Sequence, residues 1–302
     1  MWNVAQAAVQ GRGHISTGIP CQDKTFFIKK NGTCAIALAD GAGSAKFSHY
    51  GAERAVECIS NLLVDNFDYY YEQNEPANVR QDLLSHVIKE LEILSKSIDC
   101  DIRELASTLL SVAVCGNRYL IFHLGDGVIG YQDGDRIKVA SSPNNGEFCN
   151  TTVFTTTTGA EESIKLLKGE FRSNIKGFVL FSDGVESILY IKNQNEISQS
   201  LSPVFDDLSL LDSSEVEKNL IETLNEIKSH TQDDCSIIVM SNSSGPESPI
   251  DENDGGEDKE TGHLVPFYHR KYVPIIFIIV AIPLFAVIAL IFVYMLLGNG
   301  RS

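Results

Sequence analysis

The stretch that decides the fold is "ALADGAGSAKFSHYGAERAV", residues 37–56. Small apolar residues run into Asp40, a Gly-Ala-Gly-Ser turn follows, and apolar residues then recur at helical spacing. This pattern predicts a buried strand that ends at an acid and leads into a helix. A carboxylate at the end of a buried strand is costly unless a positive charge meets it. Asp-Gly is also a common turn pair, so a simple turn is the alternative interpretation of Asp40.

The same feature recurs along the chain. "YLIFHLGDG" reaches Asp126, "FVLFSDG" reaches Asp183, and "HTQDDCSIIVM" starts a strand with Asp233 and Asp234, while Asp23 precedes the strand "KTFFI". Carboxylates gathered at one edge of a sheet core repel one another, and a divalent cation relieves that repulsion. Ligand sets made only of oxygen favour Mg²⁺ or Mn²⁺ over zinc. Two such ions about 4 Å apart can hold a hydroxide and clamp a phosphoryl group.

Composition and charge exclude several other classes of protein. The chain has 302 residues, 43% of them hydrophobic, which is enough for a sizeable core. Its formal net charge of −16 argues against a nucleic-acid binder, which needs clustered Lys and Arg. Its 7 cysteines form no CxxC or Cys/His cluster, so zinc is not expected. The sequence contains no phosphate-binding "GxxxxGK[ST]" and no kinase "HRD" motif, so it is not an obvious NTPase or kinase.

The C-terminal part predicts a membrane anchor. Residues 272–297 are almost uninterruptedly apolar and long enough to cross about 30 Å of hydrocarbon, so we expect one transmembrane helix there. A buried core helix is the alternative. Residues 241–271 are rich in Ser, Gly, Pro and acid and predict a disordered tether, which leaves a folded domain at 1–240. "HRKY" precedes the span, so the positive-inside rule favours a single-pass membrane protein whose N-terminal domain is cytoplasmic. No signal peptide is expected at the start, and the unpaired cysteines also suit the cytosol.

Within the domain, runs typical of strands outnumber helical patterns. Helices are predicted over about 47–67, 78–98 and 213–229, the last with Ser214 as a candidate N-cap. Short runs typical of β-strands come in groups, and "YQDGDRI" contains an Asp-Gly pair that indicates a hairpin. The predicted strands are "NVAQAAV", "KTFFIKK", "TCAIALAD", "STLLSVAVCG", "RYLIFHLGD", "GVIGYQDGDRIKVAS", "NTTVFTTTT", "GFVLFSDG" and "CSIIVMS". Grouped strands with an inserted helical pair predict an α+β fold with largely antiparallel sheets.

The ordered pieces "GHISTGIPCQD", "ALADGAGS", "STLLSVAV…FHLGDG", "LFSDGVES" and "DDCSIIVM" resemble the PPM/PP2C family of metal-dependent Ser/Thr protein phosphatases, over about residues 8–240. The resemblance implies two packed antiparallel β-sheets flanked by helix pairs, and hydrolysis of phosphoserine and phosphothreonine by a metal-activated water. It implies two Mg²⁺ or Mn²⁺ ions. Asp40 would bridge them and the Gly41 carbonyl would bind one. Asp183 and Asp233 would hold the first ion, and Asp23 would support the second.

Some family positions differ in this chain. Asp126 matches an acid associated with a weakly held third metal, but the second acid of that site falls at Ser187, with Glu186 adjacent and out of register. The family's phosphate-binding Arg falls at Gly18, and a family His falls at Ala42. Arg12 and His14 are therefore the candidate phosphate-contacting residues, with a surface Arg and a structural His as the alternatives.

Two other histidines differ in their expected roles. His49 is a weaker catalytic candidate, and His123 is expected in the core. For the glycines of the opening stretch, we expect Gly43 to leave room for the chain to turn into the helix.

Two functions from different classes follow. The first is an active, membrane-tethered phosphatase acting on phosphorylated proteins and opposed by a Ser/Thr kinase. The second is a pseudophosphatase that binds phosphoproteins without turnover, which the missing Arg keeps open. A phosphatase for small phosphometabolites is a further enzymatic variant.

Overall fold

The computed structural model describes residues 1–143, 152–171 and 175–242. Within these residues the chain forms short strands and helices that follow the grouped order expected of an α+β protein. The strands are β1 Trp2–Val9, β2 Lys24–Lys30, β3 Thr33–Ala39, β4 Leu109–Cys115, β5 Arg118–Leu124, β6 Val128–Asp133, β7 Arg136–Ser141, β8 Lys165–Glu170, β9 Ile175–Phe181, β10 Tyr190–Ile191, β11 Glu196–Ile197 and β12 Cys235–Asn242. The helices are α1 Arg12–Thr17, α2 Ser48–Asp65, α3 Phe67–Glu72, α4 Pro76–Ser97, α5 Asp183–Leu189, α6 Ser202–Leu210 and α7 Ser213–Ile227.

Two five-stranded sheets carry the fold, and every pairing in them is antiparallel. One sheet has the order β1-β12-β9-β6-β7 and the other β2-β3-β4-β5-β8, with β10 and β11 forming a separate small hairpin. The predicted pair of antiparallel sheets is therefore confirmed.

A helix layer covers the outer face of each sheet, and a third apolar layer lies between the sheets. α2 and α4 pack on the sheet that contains β3, and α5, α6 and α7 pack on the sheet that contains β12. The strand β3 shows why its sequence is apolar throughout: Ala35, Ala37 and Ala39 face the helices, whereas Ile36 and Leu38 face the other sheet. Both faces are buried, so the alternation of polar and apolar residues is lost.

The predicted elements were largely confirmed, with two errors. "NTTVFTTTT" is not a strand over its described residues, 152–158. There the Thr155 amide donates to the Ser107 carbonyl, and the Phe154 amide donates to Thr157 Oγ1. Such local bonds compete with a strand ladder. The N-cap of α7 is Asp212, whose carboxylate accepts from the amide of the predicted cap, Ser214.

The C-terminal predictions fall mostly outside the described residues. The chain divides into two units, Met1–Pro246 and Glu247–Ser302, and the second lies wholly outside the described residues. β12 continues to Asn242, so the tether predicted from 241 begins at least two residues later. The rest of the tether and the predicted transmembrane helix at 272–297 lie outside the described range and stay predictions. Among the helices of residues 1–143, 152–171 and 175–242, none has the length and apolar character needed to cross a membrane.

Candidate metal centre

Three of the predicted acids meet where strands of both sheets end. Asp40 follows β3, Asp126 lies between β5 and β6, and Asp183 follows β9 as the first residue of α5. One carboxylate oxygen from each lies within 4.8 Å of the others. The expectation that acids at separate strand ends converge is confirmed for these three residues.

The backbone around Asp40 is held by Thr108, at the start of the neighbouring strand β4. The Asp40 amide donates to Thr108 Oγ1 at 2.9 Å, and the Thr108 amide donates to the Asp40 carbonyl at 2.8 Å. The next residue must be small, because a Cβ at Gly41 would lie 2.8 Å from the Cβ of Ser48 on α2. These contacts fix the end of β3 against the start of α2, so Asp40 has little freedom to move away from its neighbours.

Burial and mutual repulsion make the carboxylates of Asp40 and Asp183 hard to ionise. Burial, and then the charges of neighbouring acids, raises the pKa of Asp40 well above its ordinary value. Burial, followed by the charges of Asp126 and Asp233, raises the pKa of Asp183 to about 6, although a hydrogen bond with Asp40 opposes the rise. Oδ1 of Asp183 is buried without a hydrogen-bond partner in the structure. Thr152 Oγ1 donates to Asp126 Oδ2 at 2.5 Å, so the oxygen without a donor is on Asp183. Carboxylate oxygens that repel one another form a ligand set that suits a hard divalent cation.

Asp23 lies deeper than the cluster and is almost fully buried. Ser182 Oγ donates to its Oδ2 at 2.7 Å, and the Ser236 amide donates in turn to Ser182 Oγ at 3.1 Å. Burial nevertheless raises the pKa of Asp23 to about 7. The charge of Asp23 also raises the pKa of Asp40, so Asp23 acts on the cluster electrostatically.

The two acids that precede β12 have different environments. Asp233 is exposed, and its charge contributes to the raised pKa values of Asp40 and Asp183. Asp234 is buried and accepts from the amides of Gly11 and Gln22, both at 2.6 Å. Asp234 therefore ties the start of β12 to the segment that leads to Asp23, a structural role that the sequence did not indicate.

The candidate phosphate-contacting residues both lie on α1, which packs against this same segment. His14 Nδ1 lies 2.9 Å from Asp234 Oδ2, without the alignment of a full hydrogen bond. Arg12 is exposed and its Nε donates to the Thr231 carbonyl at 3.0 Å. Both residues thus border the Asp233 side of the centre, and neither belongs to the carboxylate cluster. Their contact with phosphate stays a prediction.

Other positions singled out from sequence are also placed. His123 is buried in β5, where Ser141 Oγ lies 2.6 Å from its Nδ1, and burial lowers its pKa to about 3. It is a neutral core residue, as expected. The His49 ring lies 4.1 Å from that of Tyr50 at an angle of 40°, and burial together with the charge of Lys24 lowers the pKa of His49. The explanation offered for Gly43 is wrong, because a Cβ there would meet nothing within 4 Å.

Sequence reasoning missed the residues that support the acids. Ser182 immediately precedes Asp183, and Thr108 lies inside the quoted "STLL", so both were visible as polar residues beside apolar strands. Gly184 also follows Asp183, and a Cβ there would come within 1.8 Å of the Asp234 carbonyl oxygen. Glu186 and Lys192 form an ion pair at 2.8 Å. The sequence did not indicate it, because the two side chains meet only where the chain changes direction after α5.

Comparison with known proteins connects this geometry to a family. "Serine/threonine-protein phosphatase 3" of Escherichia coli (strain K12) is 24% identical over 200 residues, covering 62% of this chain and 75% of the relative. The S. agalactiae serine/threonine phosphatase superposes with a TM-score of 0.55 at 16% identity, over 80% of this chain and 99% of that one. Serine/threonine phosphatase Stp1 from Staphylococcus aureus gives a TM-score of 0.54 at 14% identity, over 81% and 96%. At these identities the two structures establish the fold.

The family model described as Protein phosphatase 2C matches residues 10–225, a range that contains the strands β2 to β11 and four of the predicted metal-binding acids. Asp233 follows the matched range and adjoins the last strand. The chain therefore belongs to the protein phosphatase 2C family of serine/threonine phosphatases, as the order of its motifs predicted.

Proposed function

We propose that this chain is a metal-dependent protein serine/threonine phosphatase that hydrolyses phosphoserine and phosphothreonine. The observation that carries the proposal is the convergence of Asp40, Asp126 and Asp183, whose oxygens lie within 4.8 Å of one another. Such a cluster is unfavourable without a cation, since burial and repulsion resist ionisation. Family membership makes phosphate ester hydrolysis the reaction that the cluster serves.

The ions in this proposal are two Mg²⁺ or Mn²⁺. Asp40 and the Gly41 carbonyl, with Asp183 and Asp233, would hold them, and Asp23 would support the second. When bound, divalent ions lower the pKa of a coordinated water and neutralise charge on the phosphoryl oxygens. The protein's own contribution is orientation. Thr108 fixes the Asp40 backbone by a reciprocal pair of hydrogen bonds.

Phosphate contact is assigned to α1. Arg12 and His14 lie on that helix, and Asp234 Oδ2 lies 2.9 Å from His14 Nδ1. Gly18, where the family Arg would fall, ends α1 with a positive φ of 71° and has no side chain to offer. Arg12 presents a guanidinium suited to phosphate oxygens. The natural substrates are phosphorylated proteins, and a Ser/Thr kinase would make them.

Membrane tethering is the part of the proposal that rests on sequence alone. The apolar stretch 272–297 would anchor the chain, and the basic residues of "HRKY" before it favour a phosphatase domain on the cytoplasmic side. Tethering raises the effective concentration of the domain toward membrane-bound phosphoproteins. Fractionation of cells with a carbonate wash tests it, because a peripheral protein is released and an integral one stays with the membrane.

The experiment that tests the proposed reaction measures Mn²⁺-dependent phosphate release from a phosphothreonine peptide by the full-length chain in detergent. Asp40→Asn keeps the size of the side chain and removes a metal-binding charge, so we expect activity to fall by about 100-fold or more. Asp65→Asn, which changes an exposed acid paired with Lys30, is the matched control and retains activity.

The same assay separates the second candidate function, a pseudophosphatase. The observation that favours it is the absence of a side chain at Gly18. Mn²⁺ binding without turnover by the unchanged chain would support the pseudophosphatase and reject the enzyme. Faster turnover of small phosphate esters than of the peptide would instead redirect the proposal to phosphometabolites.

A further inference from the structure

A buried acid and an exposed lysine form an ion pair beside the carboxylate cluster. Glu186 lies on α5 three residues after Asp183, and only 7% of its surface is exposed. Residues with this spacing lie on the same side of a helix. Glu186 Oε2 is 2.8 Å from Lys192 Nζ, whereas its Oε1 is buried without a hydrogen-bond partner in the structure. The lysine is thus anchored at the edge of the centre by an acid that has no other hydrogen-bonding partner.

The electrostatics of this edge favour a cation. The charge of Glu186 adds to those of Asp126 and Asp233 in raising the pKa of Asp183. The pKa of Lys192 is raised first by its hydrogen bond to Glu186 and then by the charges of Glu186, Asp183 and Asp126. The ammonium group is therefore within the electrostatic field of Asp126 and Asp183.

The same edge does not fit an additional metal ion. The second acid that such a site needs falls at Ser187, whose side chain is exposed and has no carboxylate. The neighbouring carboxylate, Glu186, is already paired with an ammonium group. A divalent ion placed beside Asp126 and Asp183 would meet the positive charge of Lys192, and like charges at short range repel.

Building on the proposed two-metal function, we propose that Lys192, anchored by Glu186, supplies the positive charge beside Asp126 and Asp183 that a third divalent ion would otherwise supply. The centre then takes two ions. Unlike a weakly held ion, the ammonium is present at every metal concentration. Lys192 acts as a positioning residue, since it contacts Glu186 rather than the reacting atoms.

Counting bound Mn²⁺ tests this directly, without relying on turnover. The full-length chain in detergent is titrated with Mn²⁺, and free Mn²⁺ is read by its electron paramagnetic resonance signal. We expect two equivalents for the unchanged chain and for Lys192→Arg, and a third, weaker equivalent for Lys192→Met. Lys30→Met is the matched control. It removes the lysine of another carboxylate pair, Lys30 with Asp65, at the opposite end of β2 from the centre, and we expect two equivalents.

The outcomes separate this inference from the proposed function. Three equivalents in the unchanged chain, or two in Lys192→Met, would overturn the role of Lys192 and leave the metal-dependent phosphatase intact. No bound Mn²⁺ in the unchanged chain would overturn both. A third equivalent in Lys30→Met as well would show that loss of any surface charge is sufficient, and would also reject the inference.

Discussion

Replacing Asp23 with Asn should stabilise the metal-free protein at alkaline pH. Asp23 is 2% exposed, and burial raises its pKa from 3.8 to about 7. Asn has nearly the same shape, and its Oδ1 can still accept the hydrogen bond that Ser182 Oγ donates to Asp23 at 2.7 Å. The substitution therefore removes a charge from the core and leaves the packing nearly unchanged.

The sign and size follow from proton linkage. Between the two pKa values the folded state binds more protons than the unfolded state, so the free energy of unfolding falls as pH rises. The contribution is fully present below about pH 4 and is lost as pH rises through about 7. A pKa raised from 3.8 to about 7 corresponds to about 4 kcal/mol. At pH 8 in EDTA, Asp23→Asn should gain up to about 4 kcal/mol, or roughly 8–16 °C in Tm for a domain of this size.

The assay is thermal unfolding of the full-length chain in EDTA, followed by intrinsic fluorescence. The only tryptophan, Trp2, lies in β1 with its ring 5.7 Å from that of Phe171, so it reports on the phosphatase domain. At pH 4 the variant and the unchanged chain should differ by less than about 1 kcal/mol. Saturating Mn²⁺ at pH 8 should reverse the order, because the ions favour the ionised carboxylate.

An equal gain at pH 4 and pH 8 would refute the reasoning, since it would show that the charge of Asp23 is not the cause. A lower Tm at pH 8 would show that the Asn side chain is not accommodated. Asp65→Asn again serves as the control, because its exposed carboxylate should give a small effect at either pH.

Three other substitutions test the supports of the centre by unfolding and by Mn²⁺ titration. Gly184→Ala places a Cβ within 1.8 Å of the Asp234 carbonyl oxygen, so it should lower the free energy of unfolding by about 1–3 kcal/mol and weaken Mn²⁺ binding. Gly43→Ala is the control, because the space around Gly43 is open, and it should change neither quantity. Asp234→Ala leaves two buried amides without an acceptor and should cost roughly 2–6 kcal/mol, more than Asp234→Asn, which keeps one acceptor oxygen. Thr108→Val removes the acceptor of the Asp40 amide and should weaken Mn²⁺ binding by roughly 10-fold or more; an unchanged affinity would show that Asp40 is positioned without it.

Local sequence was sufficient to predict most strands and the acids at their ends, but not β8, β10 or β11. β3 is buried on both faces, so its apolar run was unbroken, and a charged residue at its end was conspicuous. The helices α2, α4 and α7 have long apolar periodicity and were predicted for the same reason. By contrast, α1 and α5 have six and seven residues, too few to show a helical period. The strand predicted for the threonine-rich run was wrong, because a local hydrogen bond from the Phe154 amide to Thr157 Oγ1 takes the place of a strand ladder.

The convergence of the acids was harder to predict because it depends on contacts between distant residues. Asp40 and Asp183 lie in different sheets, and only the packing of the sheets brings their strand ends together. The role of Asp234 likewise depends on amides more than 200 positions earlier in the chain. Spacing in the sequence carries no information about such pairs. Spacing left open which acids share one site, and the family resemblance indicated them. The structure then showed that each acid has a distinct environment.

The basic residues near the centre share one property, which is that a neighbouring group holds the side chain of each. Arg12 donates to the Thr231 carbonyl, His14 lies against the buried Asp234, and Lys192 is paired with Glu186. A long side chain that is already held loses less rotational freedom when a phosphate arrives. Dipoles and charges fixed before the reaction also need little reorganisation during it. The absence of a side chain at Gly18 is thus compatible with the proposed phosphate recognition, because anchored basic residues other than an arginine at position 18 lie near the centre.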